Sequence, residues 1–207
     1  MTSNTNPHDT ISEFTFDHVA IREHAVRLRG EKVVLRPMTE NDWGILLRWN
    51  NDPDVIYYSD GADVSSHSLE QVQQIYRGVS QSAYCFIIES DGHPIGECWL
   101  QKMNLKRILE RYPEKDCRRI DIMIGEKSLW GQSLGTQAIG LLTKFGFDVE
   151  KADFIFGCGI ADYNPRSLRA FEKNGYHTDA RVEEPSGQKA RFVYDLVLSM
   201  DEYHKSS

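Results

Sequence analysis

Residues 120–142, IDIMIGEKSLWGQSLGTQAIGLL, decide the fold. Ile120, Ile122 and Ile124 alternate with Asp121 and Met123, which is the period-2 pattern of a strand whose two faces differ. Trp130-Gly131-Gln132-Ser133-Leu134-Gly135-Thr136 follows as a run of mostly small residues. Leu134, Ala138, Leu141, Leu142 and Phe145 then mark the apolar stripe of a helix. A strand, a small-residue loop and a helix in that order form an anion cradle: backbone N–H groups come close to a ligand, and the helix start favours negative charge. Alone, such a loop is weak evidence, because small residues at a helix start often only turn the chain.

Upstream, Lys32 to Pro37 predicts a strand closed by its proline. Thr39 and Asp42 form an N-cap signature ahead of Trp43, Leu46 and Leu47, and that helix ends near Asn51-Asp52-Pro53. Val55 to Val64 predicts a loop, and Leu69 to Val79 a second helix. Tyr84 to Glu89 and Pro94 to Gln101, joined by Ser90-Asp91-Gly92, predict a hairpin. Lys102 to Asp116 is a charged excursion in which Leu105, Ile108 and Leu109 hint at a short helix. Downstream, Phe154-Ile155-Phe156 predicts a buried strand. Asn164-Pro165 opens a helix as N-cap and first residue, and Gly175 closes it. Strands at Tyr176 to Val182 and Arg191 to Leu198 flank a turn at Pro185-Ser186-Gly187. The predicted order, β-α-α-β-β-β-α-β-α-β-β, is an α/β chain of the mixed α+β kind. Residues 1–27 predict an N-terminal extension, ordered at best near Phe14 to Ile21, and 28–207 a single domain.

With 207 residues, 40% of them hydrophobic, the chain suits one domain around one core. Apolar runs such as Phe86-Ile87-Ile88 are too short to cross a bilayer. Met1 to His24 carries four carboxylates and no apolar segment, unlike a secretory signal or an Arg-rich transit peptide. A cytoplasmic protein without a membrane partner is expected. A net charge of −7 gives no positive field for nucleic acid; it favours cationic ligands, or serves solubility alone. Cys85, Cys98, Cys117 and Cys158 lack C-x-x-C spacing and a histidine at ligand distance, so they read as reduced thiols, and no metal site is expected.

About thirty residues after the cradle comes Asn164-Pro165-Arg166-Ser167-Leu168-Arg169-Ala170-Phe171-Glu172-Lys173-Asn174-Gly175-Tyr176. The two segments together resemble the GNAT superfamily signature, a Q/R-x-x-G-x-G/A loop followed by N-x-x-A/S-x-x-x-Y/F-x-K-x-G-F/Y. The resemblance runs from about Val33 to Leu198. It implies the GNAT fold: a mixed, mostly antiparallel sheet, splayed where acetyl-CoA binds, with helices on both faces. It also implies acetyl-CoA as cosubstrate. The amides of Gln132, Ser133, Leu134, Gly135 and Thr136 would hold the pyrophosphate. Ile122, Met123 and Ile124 would pair with the pantetheine arm as with an added strand. Asn164, Ser167 and Phe171 would line the arm, and Lys173 would reach a CoA phosphate. Each also has a plainer reading: Asn164 as a helix cap, Phe171 as core, Lys173 as a solvated charge. Trp130 and Ser133 depart from the motif's Q/R and first glycine. Phe171 stands where many members carry a proton-donating tyrosine; here water, another residue, or unassisted departure of a thiolate (reference pKa about 8.5) must serve.

Ile120-Asp121-Ile122-Met123-Ile124-Gly125-Glu126 with Trp130 and Gly135-Thr136, together with Leu35-Arg36-Pro37-Met38-Thr39 and Pro94-Ile95-Gly96, is similar to the aminoglycoside 6′-N-acetyltransferases. That resemblance implies transfer of an acetyl group to an amine of a small cationic amino sugar, conferring antibiotic resistance. Asp121 takes the catalytic position, binding the ammonium and accepting its proton directly or through water. The alternative for Asp121 is a structural ion pair with Arg118 or Arg119. Tyr57, Tyr58, Asp60 and Asp63 on one segment, and Glu97 and Trp99 on another, offer the aromatic faces and carboxylates that suit polyamines. Gly159 stands where the 6′ enzymes tend to be acidic, which leaves open other amines, such as the 2′-amine of kasugamycin. Acetylation of a protein N-terminus or polyamine, and a silent acyl-CoA-binding module, are the alternatives; a monomer or homodimer is expected.

Overall fold

The computed structural model describes residues 19–59, 66–186 and 188–206. Alternating apolar residues build eight strands: β1 (Leu28–Arg29), β2 (Val34–Pro37), β3 (Ala83–Ser90), β4 (His93–Lys102), β5 (Cys117–Ile124), β6 (Phe154–Ala161), β7 (His177–Glu183) and β8 (Phe192–Ser199). They form one sheet in the order β1-β2-β3-β4-β5-β6-β8-β7. All neighbours are antiparallel except β5 and β6. The β3–β4 hairpin turns on Asp91 (φ 49°) and Gly92 (φ 77°), the paired positive φ of the turn whose twist matches its strands.

Among the described residues seven α-helices cover the sheet: α1 (Trp43–Trp49), α2 (Pro53–Ser59), α3 (Leu69–Ser80), α4 (Lys106–Leu109), α5 (Leu134–Asp148), α6 (Pro165–Glu172) and α7 (Met200–Ser206). The predicted period-2 split of β5 decides the layers. Ile120, Ile122 and Ile124 pack with Leu134, Ala138, Ile139, Leu142 and Phe145 of α5. Met123 lies on the other face with Met38, Trp49, Tyr76, Cys85 and Ile87, beneath α1 and α3. A third cluster of Met103, Ile108, Cys117, Phe156 and Val197 seats the 102–116 excursion on the sheet.

Strand β6 is parallel to β5 for only three residues, Cys117↔Phe154 to Arg119↔Phe156, after which the strands part. Strand β5 continues to Ile124 paired with β4 alone. The parting has a local cause. The β6–β8 register shifts between Gly157 and Ile160, and Gly159 adopts φ 66°. Its N–H donates to Oδ1 of fully buried Asp195 at 3.0 Å, while Arg107 donates to both oxygens of that carboxylate at 2.9 and 2.8 Å. At Gly157 a Cβ would lie 2.7 Å from the Phe171 ring, so a side chain there would force α6 away from β6.

Three segments correct the sequence reading. The predicted loop at Val55 to Val64 begins instead as helix α2, from Pro53 to Ser59. Pro53 ends α1 but also suits the first position of the next helix, where its missing N–H costs nothing and its φ is already helical. The Asp52 carboxylate accepts the Asp54 N–H at 3.0 Å and so caps the new helix. The strand β1 and the terminal helix α7 are further elements. Residues Val19 onward pack on the domain: Ile21 is buried, Arg22 donates to the carbonyls of Ser80 and Ala83, and His24 Nε2 meets the Cys85 carbonyl at 2.9 Å. Phe14 to His18 lie outside the described residues.

Candidate active site

The parted strands open a cleft of about 360 Å³. Its floor is the far end of β5, where Ile122, Met123 and Ile124 line the cavity and have no strand partner on the β6 side. One wall is the cradle and the start of α5, with Gly131, Ser133, Leu134, Gly135 and Thr136. Gly131 (φ 81°) and Ser133 (φ 62°) are both left-handed, which turns the chain sharply into the helix. The Ser133 side chain does not cap that helix start, and among the described residues the first-turn amides remain available to a ligand. Trp130 donates its indole N–H to the Ile124 carbonyl at 2.7 Å and thereby closes the end of β5.

The opposite wall is α6. Asn164, the N-cap, accepts the Ser167 N–H at 3.2 Å and sends its amide toward the Tyr58 carbonyl at 3.4 Å. Gly175 (φ 87°) ends the helix: its N–H reaches the Glu172 carbonyl and Tyr176 N–H the Phe171 carbonyl, as the sequence predicted. Arg166, Arg169 and Lys173 recur on one face of α6 and line the cleft beside Asn164 and Ser167, whereas among the described residues no Asp or Glu lines it. In a chain of net charge −7, a cleft with three cations and, among the described residues, no carboxylate is suited to an anion.

Of the residues expected at the cofactor, Ile122, Met123, Ile124, Ser133, Leu134, Gly135, Thr136, Asn164, Ser167 and Lys173 come together around this cleft. Gln132 is exposed and bonds to the Ser128 carbonyl. Phe171 is buried behind the wall, edge-on to Tyr176 at 5.1 Å. The α2 helix closes the top with Val55, Tyr58 and Ser59. Sequence reasoning missed Arg166 and Arg169, although the successive steps from Arg166 to Arg169 to Lys173 (three, then four residues) mark one helix face.

Asp121 lies on the other face of β5, opposite Trp99 in the β4 register. Its Oδ2 accepts the Trp99 indole N–H at 2.9 Å and Arg119 Nε at 2.7 Å, and Arg119 Nη2 binds Oδ1. Burial opposes the Arg119 charge, but the Asp121 carboxylate outweighs it and raises the guanidinium above its ordinary pKa. Glu97 is buried on the same face of β4, two residues from Trp99. Tyr57 and Tyr58 stand on α2, and Tyr163 joins them, 5.3 Å from the Tyr57 ring; the Lys189 ammonium lies over Tyr57 and 4.1 Å from the Tyr163 centroid. Asp60 and Asp63 lie outside the described residues.

An open strand edge, an uncapped helix start and a cationic wall form a cleft suited to an extended anionic ligand between two parted strands. Residues 32–177 match the acetyltransferase (GNAT) domain model, and the chain belongs to the GNAT acetyltransferase family. Acetyl-CoA is its cosubstrate, and the cleft fits that molecule on its three counts: amides for a diphosphate, cations for phosphates, a free edge for an amide-bearing arm. Aminoglycoside N(6')-acetyltransferase type 1 of Klebsiella pneumoniae is 26% identical over 168 residues, 79% of this chain and 83% of that one. The structure of aminoglycoside acetyltransferase AAC(6')-Ib with coenzyme A and kanamycin superposes with a TM-score of 0.69 at 23% identity, covering 84% of this chain and 98% of that one. Spermidine N-acetyltransferase from Vibrio cholerae, solved with CoA and spermine, also has a TM-score of 0.69, at 17% identity, over 84% of this chain and 99% of that one. Among the described residues no helix is long and apolar enough to cross a membrane.

Proposed function

We propose that the chain acetylates an amine of an aminoglycoside-type antibiotic and thereby confers resistance. The observation that carries this reading is the face of the sheet where Asp121, Trp99 and Glu97 stand together, a carboxylate and aromatic set suited to a polycationic sugar. The similarity to the Klebsiella enzyme supports it.

In this reading the amides of Leu134, Gly135 and Thr136 and the cations of α6 hold the phosphates, and the Ile122–Ile124 edge orders the arm. Acetyl-CoA supplies an activated acetyl thioester. An amine attacks only when neutral, so the ammonium that binds must first lose a proton. Asp121 attracts that ammonium and takes the proton, directly or through one water. A carboxylate has roughly four lone-pair sites. Arg119 and Trp99 fill three at Asp121, so one stays open to the substrate. Phe171, buried in the core, has no proton to give the departing thiolate, which takes one from water or another residue or leaves unassisted. Gly159 brings no carboxylate to the site; the nearby Asp195 is spent on Arg107 and the Gly159 amide, which leaves the choice of amine to the Tyr57 and Tyr163 side.

The test is release of CoA thiol with kanamycin-like and kasugamycin-like amino sugars, spermidine and short peptides as separate acceptors. Turnover with an amino sugar at least tenfold above the others is expected. Turnover with spermidine or peptide alone would replace the acceptor while leaving the family intact.

A further inference from the structure

We propose that Arg166 binds the diphosphate of the cofactor and is held ready for it by two aromatic rings. The guanidinium carbon lies 4.5 Å from the Tyr58 ring centroid and 4.3 Å from that of Trp130, and all three residues line the cleft. Tyr58 belongs to α2, Trp130 to the loop that leads into the cradle, and Arg166 to the first turn of α6. Among the described residues Arg166 has no carboxylate within ion-pair distance and no hydrogen bond, whereas Arg36, Arg107, Arg118 and Arg119 are each paired with an acid. Carboxylates are plentiful in this chain, with 31 Asp and Glu against 24 Lys and Arg. An arginine kept away from them in a cleft is therefore suited to an anion that arrives with a ligand.

The two rings meet edge to face at an interplanar 87°, and the guanidinium lies near both, so cation–π attraction holds the charge without using its N–H donors. Those donors form a fork that matches two phosphate oxygens at once. The rings also restrict the side chain before binding, so less freedom is lost when the anion arrives. Arg169 and Lys173 stand farther along the helix by about 4.5 and 10.5 Å of rise, so the cations are spread along the cleft. Arg166 is the one in contact with Trp130, the residue directly before the cradle amides of Gly131 to Thr136.

The inference rests on the assignment of this cleft to acetyl-CoA, and calorimetric titration separates the two. The full chain, wild type and Arg166→Met, is titrated with CoA, 3′-dephospho-CoA and pantetheine, weak ligands being read by displacement. Methionine keeps an unbranched stem beside the rings, and Arg166→Lys keeps the charge while losing the fork; thermal melting of both verifies folding. CoA and dephospho-CoA should each weaken about 10- to 100-fold in Arg166→Met, the scale of a hydrogen bond to a charged group. Pantetheine should bind both proteins equally, and Arg166→Lys should fall between. An equal loss with pantetheine would make Arg166 a spacer of the cleft walls. A loss confined to CoA would assign it to the 3′-phosphate, and no loss would remove it from the site; each overturns the proposal. A wild type that fails to bind CoA overturns the cleft assignment itself, and the proposal with it.

Discussion

Arg119 and Asp121 stand two residues apart on the same face of β5, with Arg119 Nε 2.7 Å from Asp121 Oδ2. The pair makes the carboxylate both a structural partner and the proposed base. Asp121→Asn keeps the shape and an acceptor for Trp99 but removes the charge and the proton acceptor. Turnover should fall about 10²- to 10⁴-fold, the usual scale for a positioned base, with CoA affinity unchanged. Steady-state rates together with calorimetric CoA binding decide it: turnover near wild type in folded protein would leave Asp121 a purely structural residue.

Gly135 lies in the first turn of α5, where a Cβ would meet Ile124 no closer than 3.6 Å. Gly135→Ala should therefore fold and bind. Gly135→Glu puts an acid beside the cradle amides, and should abolish the rise in melting temperature that CoA gives by binding the native state. A preserved rise in the Glu variant would move the cofactor to another part of the molecule.

Asp195 is fully buried and holds Arg107 and the Gly159 amide, so it fixes the bend where β6 leaves β5. Asp195→Ala removes the partner of Arg107, whose side chain is about a third exposed, and frees the bulge. Stability should drop by about 1–3 kcal/mol, the cost of losing hydrogen bonds that involve a charged group and leaving a donor unpaired. Urea unfolding measures it, and a loss below about 1 kcal/mol, the scale of an exposed pair, would contradict this anchoring role.

Asp42 gives a pH dependence of known sign. Burial favours its neutral form, but hydrogen bonds from Arg36 and the Thr39 N–H outweigh that and lower its pKa. A carboxyl depressed in the folded state adds stability that is complete above its unfolded pKa of about 3.9 and is lost as pH falls through the folded value. Asp42→Asn should therefore be less stable than wild type at pH 7, and the gap should close in strong acid. Chemical unfolding from pH 7 to pH 2 checks this; a gap independent of pH would sink it.

Much of this was legible in the residues. Alternation along β5 placed the isoleucines and Asp121 on opposite faces, and Asp91-Gly92 specified its hairpin. The same alternation could have chosen between the two arginines offered to Asp121. Residue 119 shares its face, whereas Arg118 bonds Asp116 and reaches Glu150. Pro53 misled because a residue that stops one helix also starts another. Helical spacing could have set Arg166 on the face of Arg169 and Lys173, but its contact with two rings was out of reach of any local pattern, since they come from residues 36 and 108 positions away in the chain.

The central claim, acetyl transfer from a cleft between β5 and β6 to an amino sugar, is tested most directly by competition. Limiting acetyl-CoA is offered to an equimolar mixture of a kanamycin-like amino sugar, spermidine and a short peptide, and NMR locates the acetyl group. The account predicts one acetylated amine on the amino sugar, with transfer lost in Asp121→Asn. Acetyl found on peptide or spermidine with none on the sugar would contradict it.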